Sequence, residues 1–170
     1  IIEDIRQYSQ GSILRIFTTI LLDSNFHCVM FYRIANYLGR VKILVPFSKV
    51  IMYFNRVVYS VSIDYRADLA GGFRLIHGIG TVIGLDVKTE GPVLVYQGVT
   101  LGGNKNKERE VNGRKFTQPW LMANSVIYPN ATVIGPVIIG ENAEVGANCL
   151  LTIDVPDGKT VYSKSVIRVI

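Results

Sequence analysis

Residues Leu121 to Leu151 read LMANSVIYPNATVIGPVIIGENAEVGANCLL, and every sixth one is a large aliphatic: Leu121, Ile127, Val133, Ile139, Val145 and Leu151. Four residues after each of the first five stands Ser125, Ala131, Val137, Ala143 or Cys149, all small. A period of six fits neither the 3.6-residue turn of a helix nor the period-two alternation of a strand. It fits a solenoid whose coil has three short flat faces, each giving the interior one large and one small residue.

The same beat runs backwards through Leu69, Leu75, Thr81, Val87, Val93 and Val99, which predicts coils in a single phase over that tract. From Val99 to Leu121 the interval is twenty-two residues, not a multiple of six, so a segment is inserted there. The polar run from Asn104 to Gln118, NKNKEREVNGRKFTQ, is that insertion, and its charges read as a solvated loop. Before residue 62 the pattern is helical. Ile13, Ile16, Phe17, Ile20 and Leu21 recur at three and four, and Asp23, Ser24 or Asn25 can cap a second helix over about 26–38 that ends at Gly39. A third helix starts near Pro46 and runs to Val58. The expected organisation is a helical region over 1–61 and a coil over 62–170.

The chain has 170 residues, 49% of them hydrophobic, and a formal net charge of +5. A mean hydropathy of +0.30 requires an explanation: a buried subunit face, attachment to a membrane surface, or a span. The most apolar stretch, Ile43 to Ile63, is interrupted by Lys49, Asn55 and Arg56, short of the roughly 20 apolar residues a span needs. The opening IIEDIRQYSQ carries charges and no cleavage pattern, so the expectation is a cytoplasmic protein. Peripheral membrane contact through the stripe in ILVPFSKVIMYF is the alternative. Cys28 and Cys149 suggest no staple, and without a Cys/His cluster no metal is expected. The basic residues are spread rather than striped with aromatics, which argues against nucleic acid. GIGTVIG lacks the GxGxxG spacing of a dinucleotide site.

Three segments, FHCVMFYRI (Phe26 to Ile34), RLIHGIGTVIG (Arg74 to Gly84) and VYQGVTLGG (Val95 to Gly103), in this order and followed by the charged loop, resemble the serine acetyltransferase family. The resemblance covers Phe26 to about Ile170. It implies a mainly β protein: a left-handed parallel β-helix, the hexapeptide-repeat solenoid, with an N-terminal α-helical cap. It also implies a homotrimer, with pairing of trimers open, and acetyl-CoA as co-substrate in a groove between neighbouring subunits. The left-handed coil runs against the usual crossover preference, so it comes from the resemblance alone.

The family's catalytic histidine falls on His77. A neutral imidazole suits proton removal from an acceptor hydroxyl that attacks the thioester, and no Ser or Cys nucleophile pairs with a second base, so transfer is expected to be direct. His27 lies in the helical segment and reads as structural. The family's orienting aspartate falls on Ser62, with Asp64 two residues on. Either Asp64 partners His77, or no carboxylate does. Family positions tied to the amino-acid acceptor fall on Ile76, Thr117 and Gln118, and an apolar Ile76 cannot neutralise an ammonium group. On the donor side Thr100, Gly102, Gly103, Ala123, Ala147 and Arg168 match positions that would line CoA, with Lys164 a second cation for its phosphates.

Taken together these matches lead to the expectation of an O-acetyltransferase acting on a sugar hydroxyl, as in the short serine acetyltransferase-like proteins of surface-polysaccharide pathways. The helical part is short for a serine acetyltransferase, which adds to that expectation. Serine itself, as in cysteine biosynthesis, is the alternative acceptor. A non-catalytic β-helix scaffold is the alternative from another class.

Overall fold

The computed structural model describes residues 1–10, 12–105 and 107–163. Four α-helices come first: α1 (Ile2–Ser9), α2 (Ile13–Leu22), α3 (Ser24–Gly39) and α4 (Val45–Tyr59), with a 3-10 turn at Lys42–Leu44. Asp23 starts α3. Its Oδ1 accepts from the amides of Asn25 and Phe26 at 2.9 and 3.1 Å, satisfying donors that a first helical turn leaves free. Pro46 sits in the first turn of α4, where its missing N–H costs nothing. α1 is a helix that the sequence reading leaves out.

From Ser62 the chain winds into a parallel β-helix. One face stacks β1 (Ser62–Ile63), β3 (Val82–Ile83), β6 (Thr100–Gly102), β11 (Thr132–Ile134) and β14 (Leu150–Leu151). A second stacks β2 (Phe73–Ile76), β5 (Val93–Tyr96), β10 (Val126–Ile127), β13 (Glu144–Val145) and β15 (Thr160–Val161). The third stacks β4 (Lys88–Thr89), β9 (Trp120–Leu121) and β12 (Ile138–Ile139). The large inward column is closed to solvent along its length, with Ile83, Val95, Leu101, Leu121, Ile127, Val133, Ile139 and Val145 each at 0 or 1% exposure.

The pairing register corrects the single early phase. Val82 pairs with Thr100, a coil of 18 residues, whereas Ser62 pairs with Val82 and Phe73 with Val93, coils of 20. The large column therefore runs Leu69, Leu75, then Ile83, Thr89, Val95 and Leu101. Thr81, Val87, Val93 and Val99 belong to the small column with Ser125 and Ala131. Two extra residues lie between Ile76 and Val82. Both columns are buried and largely aliphatic here, so the hydrophobic pattern alone does not reveal the slip.

The second irregularity is the polar insertion. Leu94 pairs with Val126 across 32 residues, fourteen more than a regular coil. Instead of a solvated loop it contains an antiparallel hairpin, β7 (Arg109–Val111) and β8 (Arg114–Phe116). Asn112 and Gly113 between them have φ of 51° and 75°, as a two-residue hairpin turn requires. Phe116 is buried, its ring edge-on to Trp120 at 5.3 Å.

The helices close the open end of the coil. A first coil exposes a row of unpaired backbone groups, and buried ones must find partners. Here Asp4 accepts from the Gly72 amide at 2.9 Å and the Tyr8 hydroxyl accepts from Leu75 at 2.8 Å. Arg33 donates to the carbonyl of Ala70, and Asn36 to those of Tyr65 and Ala67. Arg33 also grips both oxygens of Asp4 at 2.9 Å. Burial works against a charged Asp4, but the Arg33 hydrogen bonds and charge outweigh it and hold the carboxyl below its usual range.

Candidate active site

The two extra residues of the first coil sit at the corner between β2 and β3. From Tyr96 the second coil reaches Thr100 in four steps, whereas the first needs six to go from Ile76 to Val82. Gly80 makes the actual corner: it has φ 75°, stacks on Gly98 and donates to the Ser60 carbonyl at 2.8 Å. The added length is carried outward, and it carries His77.

His77 has φ 54°, in the left-handed region that few non-glycine residues occupy and that His enters more readily than most. The residue is exposed, and its ring makes no hydrogen bond among the described residues. Its carbonyl accepts from Ile79 at 2.6 Å, tightening the turn. The amide of Gly78 donates to Asn25 Oδ1 at 2.8 Å, so the first turn of α3 holds the loop from below. A backbone in an uncommon conformation, pinned by a side chain from another element and presenting an unengaged imidazole, is the kind of local cost that functional sites carry. Sequence reasoning considered Asn25 only as a helix cap. The interval of eight from Leu75 to Ile83 marks the inserted turn only once the pairing register is known, because Thr81 continues the six-residue beat.

Asp64 does not partner His77. Both of its oxygens are taken by Arg66, Oδ1 from Nε at 2.9 Å and Oδ2 from Nη2 at 2.8 Å. The Arg66 hydrogen bonds hold its carboxyl below the usual range. Its backbone lies one residue beyond the Ile63–Ile83 pair, past the corner, while Ser62 is level with Val82. Ser62, at the end of β1 closer to His77, has no charge to orient an imidazole. Ile76 is half-buried at the end of β2, and Thr117 is held by Asp86, which accepts from its amide and hydroxyl at 2.5 and 2.8 Å.

The residues expected to line CoA fall in three places. Ala147 is at the same corner as His77, in the column of Gln97 and Pro129, and Thr100 begins the strand that leaves that corner. Gly102 and Gly103 lie at the far end of this strand, Gly102 against Ile134 and Gly103 beside Gln118. Ala123 sits at the opposite edge of the second face, above Gly91, so one protomer does not bring it to the others. Arg168 and Lys164 lie outside the described residues.

Glycine is not required by the chain's own packing at Gly102 and Gly103. A Cβ at either would meet its nearest atom at 3.6 Å, ordinary van der Waals distance, and neither has a positive φ. At Gly140 the opposite holds, since a Cβ would overlap the backbone of Pro156 and Asp157. Open backbone at Gly102 and Gly103 leaves room for a ligand to approach closely. Oε1 of Gln97, at the His77 corner, and Oε1 of Gln118, beside Gly103, are buried without a protein partner among the described residues. Among the described residues no group of three or more His, Cys, Asp or Glu could hold a metal ion.

The fold and this corner define a hexapeptide-repeat β-helix with a histidine-bearing turn inserted in its first coil. Residues 119–152 match the bacterial transferase hexapeptide family (six repeats). The chain is 33% identical to the serine acetyltransferase of Bacillus pumilus over 142 residues, 84% of this chain and 62% of that protein. The Neisseria gonorrhoeae serine acetyltransferase, solved in complex with serine, superposes with a TM-score of 0.80 at 25% identity, over 95% of this chain and 64% of that one. A serine acetyltransferase solved in complex with CoA gives a TM-score of 0.80 at 26% identity, over 93% and 63%. The chain thus spans less than two thirds of the length of these relatives. In sequence and fold it resembles the serine acetyltransferases, and its coil is the left-handed β-helix of that fold.

Proposed function

We propose that this chain is an acetyl-CoA-dependent O-acetyltransferase in which His77 is the general base. The observation that carries the reading is the exposed, unengaged His77 on an inserted turn fixed by Asn25. In the proposed step an imidazole nitrogen accepts the proton of the acceptor hydroxyl, whose oxygen forms a bond to the thioester carbonyl carbon. The carbon–sulfur bond breaks and CoA leaves as the thiol after taking up the proton. Without Asp64 as a partner, the base works with no carboxylate behind it. The backbone at Thr100, Gly102 and Gly103 is proposed to lie along the pantetheine arm, with subunits packed as a trimer through outward apolar residues such as Val82 and Leu150.

For the acceptor, the relatives favour serine over the sugar expected from the sequence: the matched proteins are serine acetyltransferases, one of them solved with serine. One observation keeps a sugar hydroxyl as the second reading, the apolar Ile76 beside His77 where an ammonium group would need a carboxylate. The test is thiol release from acetyl-CoA with serine and with simple hexoses, parent beside His77→Ala. Loss of about 10²-fold or more in the variant is expected for a general base. Equal turnover by both proteins would remove His77 from the chemistry, and turnover with hexose alone would remove serine.

A further inference from the structure

We propose that the helical region seats this protein on an anionic lipid surface, with α4 as the main contact and α2 beside it. The coil buries its inward column almost completely, whereas α4 turns Phe47, Val50, Phe54, Val57 and Val58 outward at 53 to 64% exposure. On the helix these positions form a stripe, at intervals of three and four. Lys49 and Arg56 flank it with Tyr53 between them, long cationic and amphipathic side chains of the kind that reach from an apolar layer to headgroups. α2 adds Leu14, Phe17, Leu21 and Leu22, each at 63 to 79% exposure.

Charge selects the occupant. Residues 24–63 contain five Lys or Arg and no Asp or Glu, a local +5 that equals the net charge of the whole chain. Arg33 is consumed by Asp4. Arg40, Lys42, Lys49 and Arg56 are exposed, and none has a carboxylate partner among the described residues. A second copy of this chain would bring the same cations to the same apolar face, where they repel. Anionic headgroups would neutralise them while the acyl boundary takes the aromatic stripe.

The geometry suits lying on a bilayer rather than crossing it. No single helix among the described residues is long and apolar enough to span. α2 and α3 together reach the required length and composition but are bent by 74°. α3 also commits Phe26, Val29, Tyr32 and Ala35 to the protein core.

The experiment is co-sedimentation of the full chain with phosphatidylglycerol–phosphatidylcholine vesicles and with phosphatidylcholine alone. Binding to the first, weakened by salt and near absent on the second, is expected. Each basic residue at such a surface is worth about fivefold in partitioning, so Lys42→Gln/Lys49→Gln/Arg56→Gln should weaken binding by roughly 10²-fold. Phe47→Ser/Phe54→Ser should also release the protein while leaving its circular dichroism and oligomer mass unchanged. Because Cys28 and Cys149 are buried, Val57→Cys can carry an environment-sensitive dye, whose emission should shift to the blue on the anionic vesicles. No partitioning onto anionic vesicles, or an unshifted dye, overturns the proposal. So does a fall in oligomer mass in the Phe47/Phe54 variant, which would assign the face to a second copy.

Discussion

The side-chain oxygen of Asn25 and the backbone amide of Gly78 meet at 2.8 Å, joining the first turn of α3 to the turn that presents His77. The two residues are 53 positions apart, so the helical region is part of the site and not an appendage to the coil. Asn25→Ala removes one partly buried hydrogen bond, worth about 1 kcal/mol. The expected result is a fall of roughly fivefold in kcat with KM for acetyl-CoA little changed. Asn25→Asp keeps an acceptor oxygen and should restore most of the loss. Equal losses in both variants would show that Asn25 acts through general stability instead of the turn.

Deleting His77 and Gly78 together should turn the first corner into a regular one. The neighbouring coils make that corner in four steps, and Gly80 retains its stacking on Gly98. The deletion protein is expected to keep its β-rich circular dichroism and a cooperative melt while losing acetyl transfer. Collapse of the fold would mean that the added residues are structural after all.

The Asp4–Arg33 pair makes α1 sensitive to acid. Asp4 is 1% exposed in its side chain, and its folded pKa lies below the unfolded value near 3.8. Its contribution is therefore complete above the unfolded pKa and is lost as pH falls through the folded one. Asp4→Asn leaves Arg33 without its counter-charge and should cost about 3 kcal/mol at neutral pH. That difference should shrink below pH 3.8 in denaturant titrations; a constant difference would place the effect elsewhere.

Two glycines separate folding from ligand approach. Gly140→Ala is expected to destabilise by about 1–3 kcal/mol, because its Cβ would run into the Pro156–Asp157 backbone. Gly102→Ala should leave the melting temperature unchanged or slightly raised, since the space is there and the unfolded chain loses freedom. A raised KM for acetyl-CoA in this variant supports close approach at β6. An unchanged KM removes Gly102 from the donor groove.

The coil was legible because its inward residues carry a strict period, from Leu121 through Leu151. The helix starts at Asp23 and Pro46 were legible because each satisfies a local rule of chain geometry. The corner was not: Thr81, Val87, Val93 and Val99 continue the beat so well that the slip after Ile76 is hidden. The pairing of Asp64 was equally out of reach, because whether it meets His77 or Arg66 depends on how far past a corner its backbone lies. Asn112–Gly113 is the turn pair of the hairpin, whereas the expectation of a solvated loop rests on the charges around it alone.

That hairpin has a mechanical consequence. In a solenoid each coil touches only the next, so unfolding can begin at either end and run inward. Here Arg114 pairs with Glu90 beside β4, while Arg109 pairs with Asp154, next to the Val155 bridge at the other end of the same stack. Each exposed pair is weak by itself, but Phe116 seats the strap between them on Trp120. The end coil cannot peel away without loosening a contact that reaches β4, which turns a row of nearest-neighbour interactions into a loop and makes the solenoid unfold more nearly as one unit.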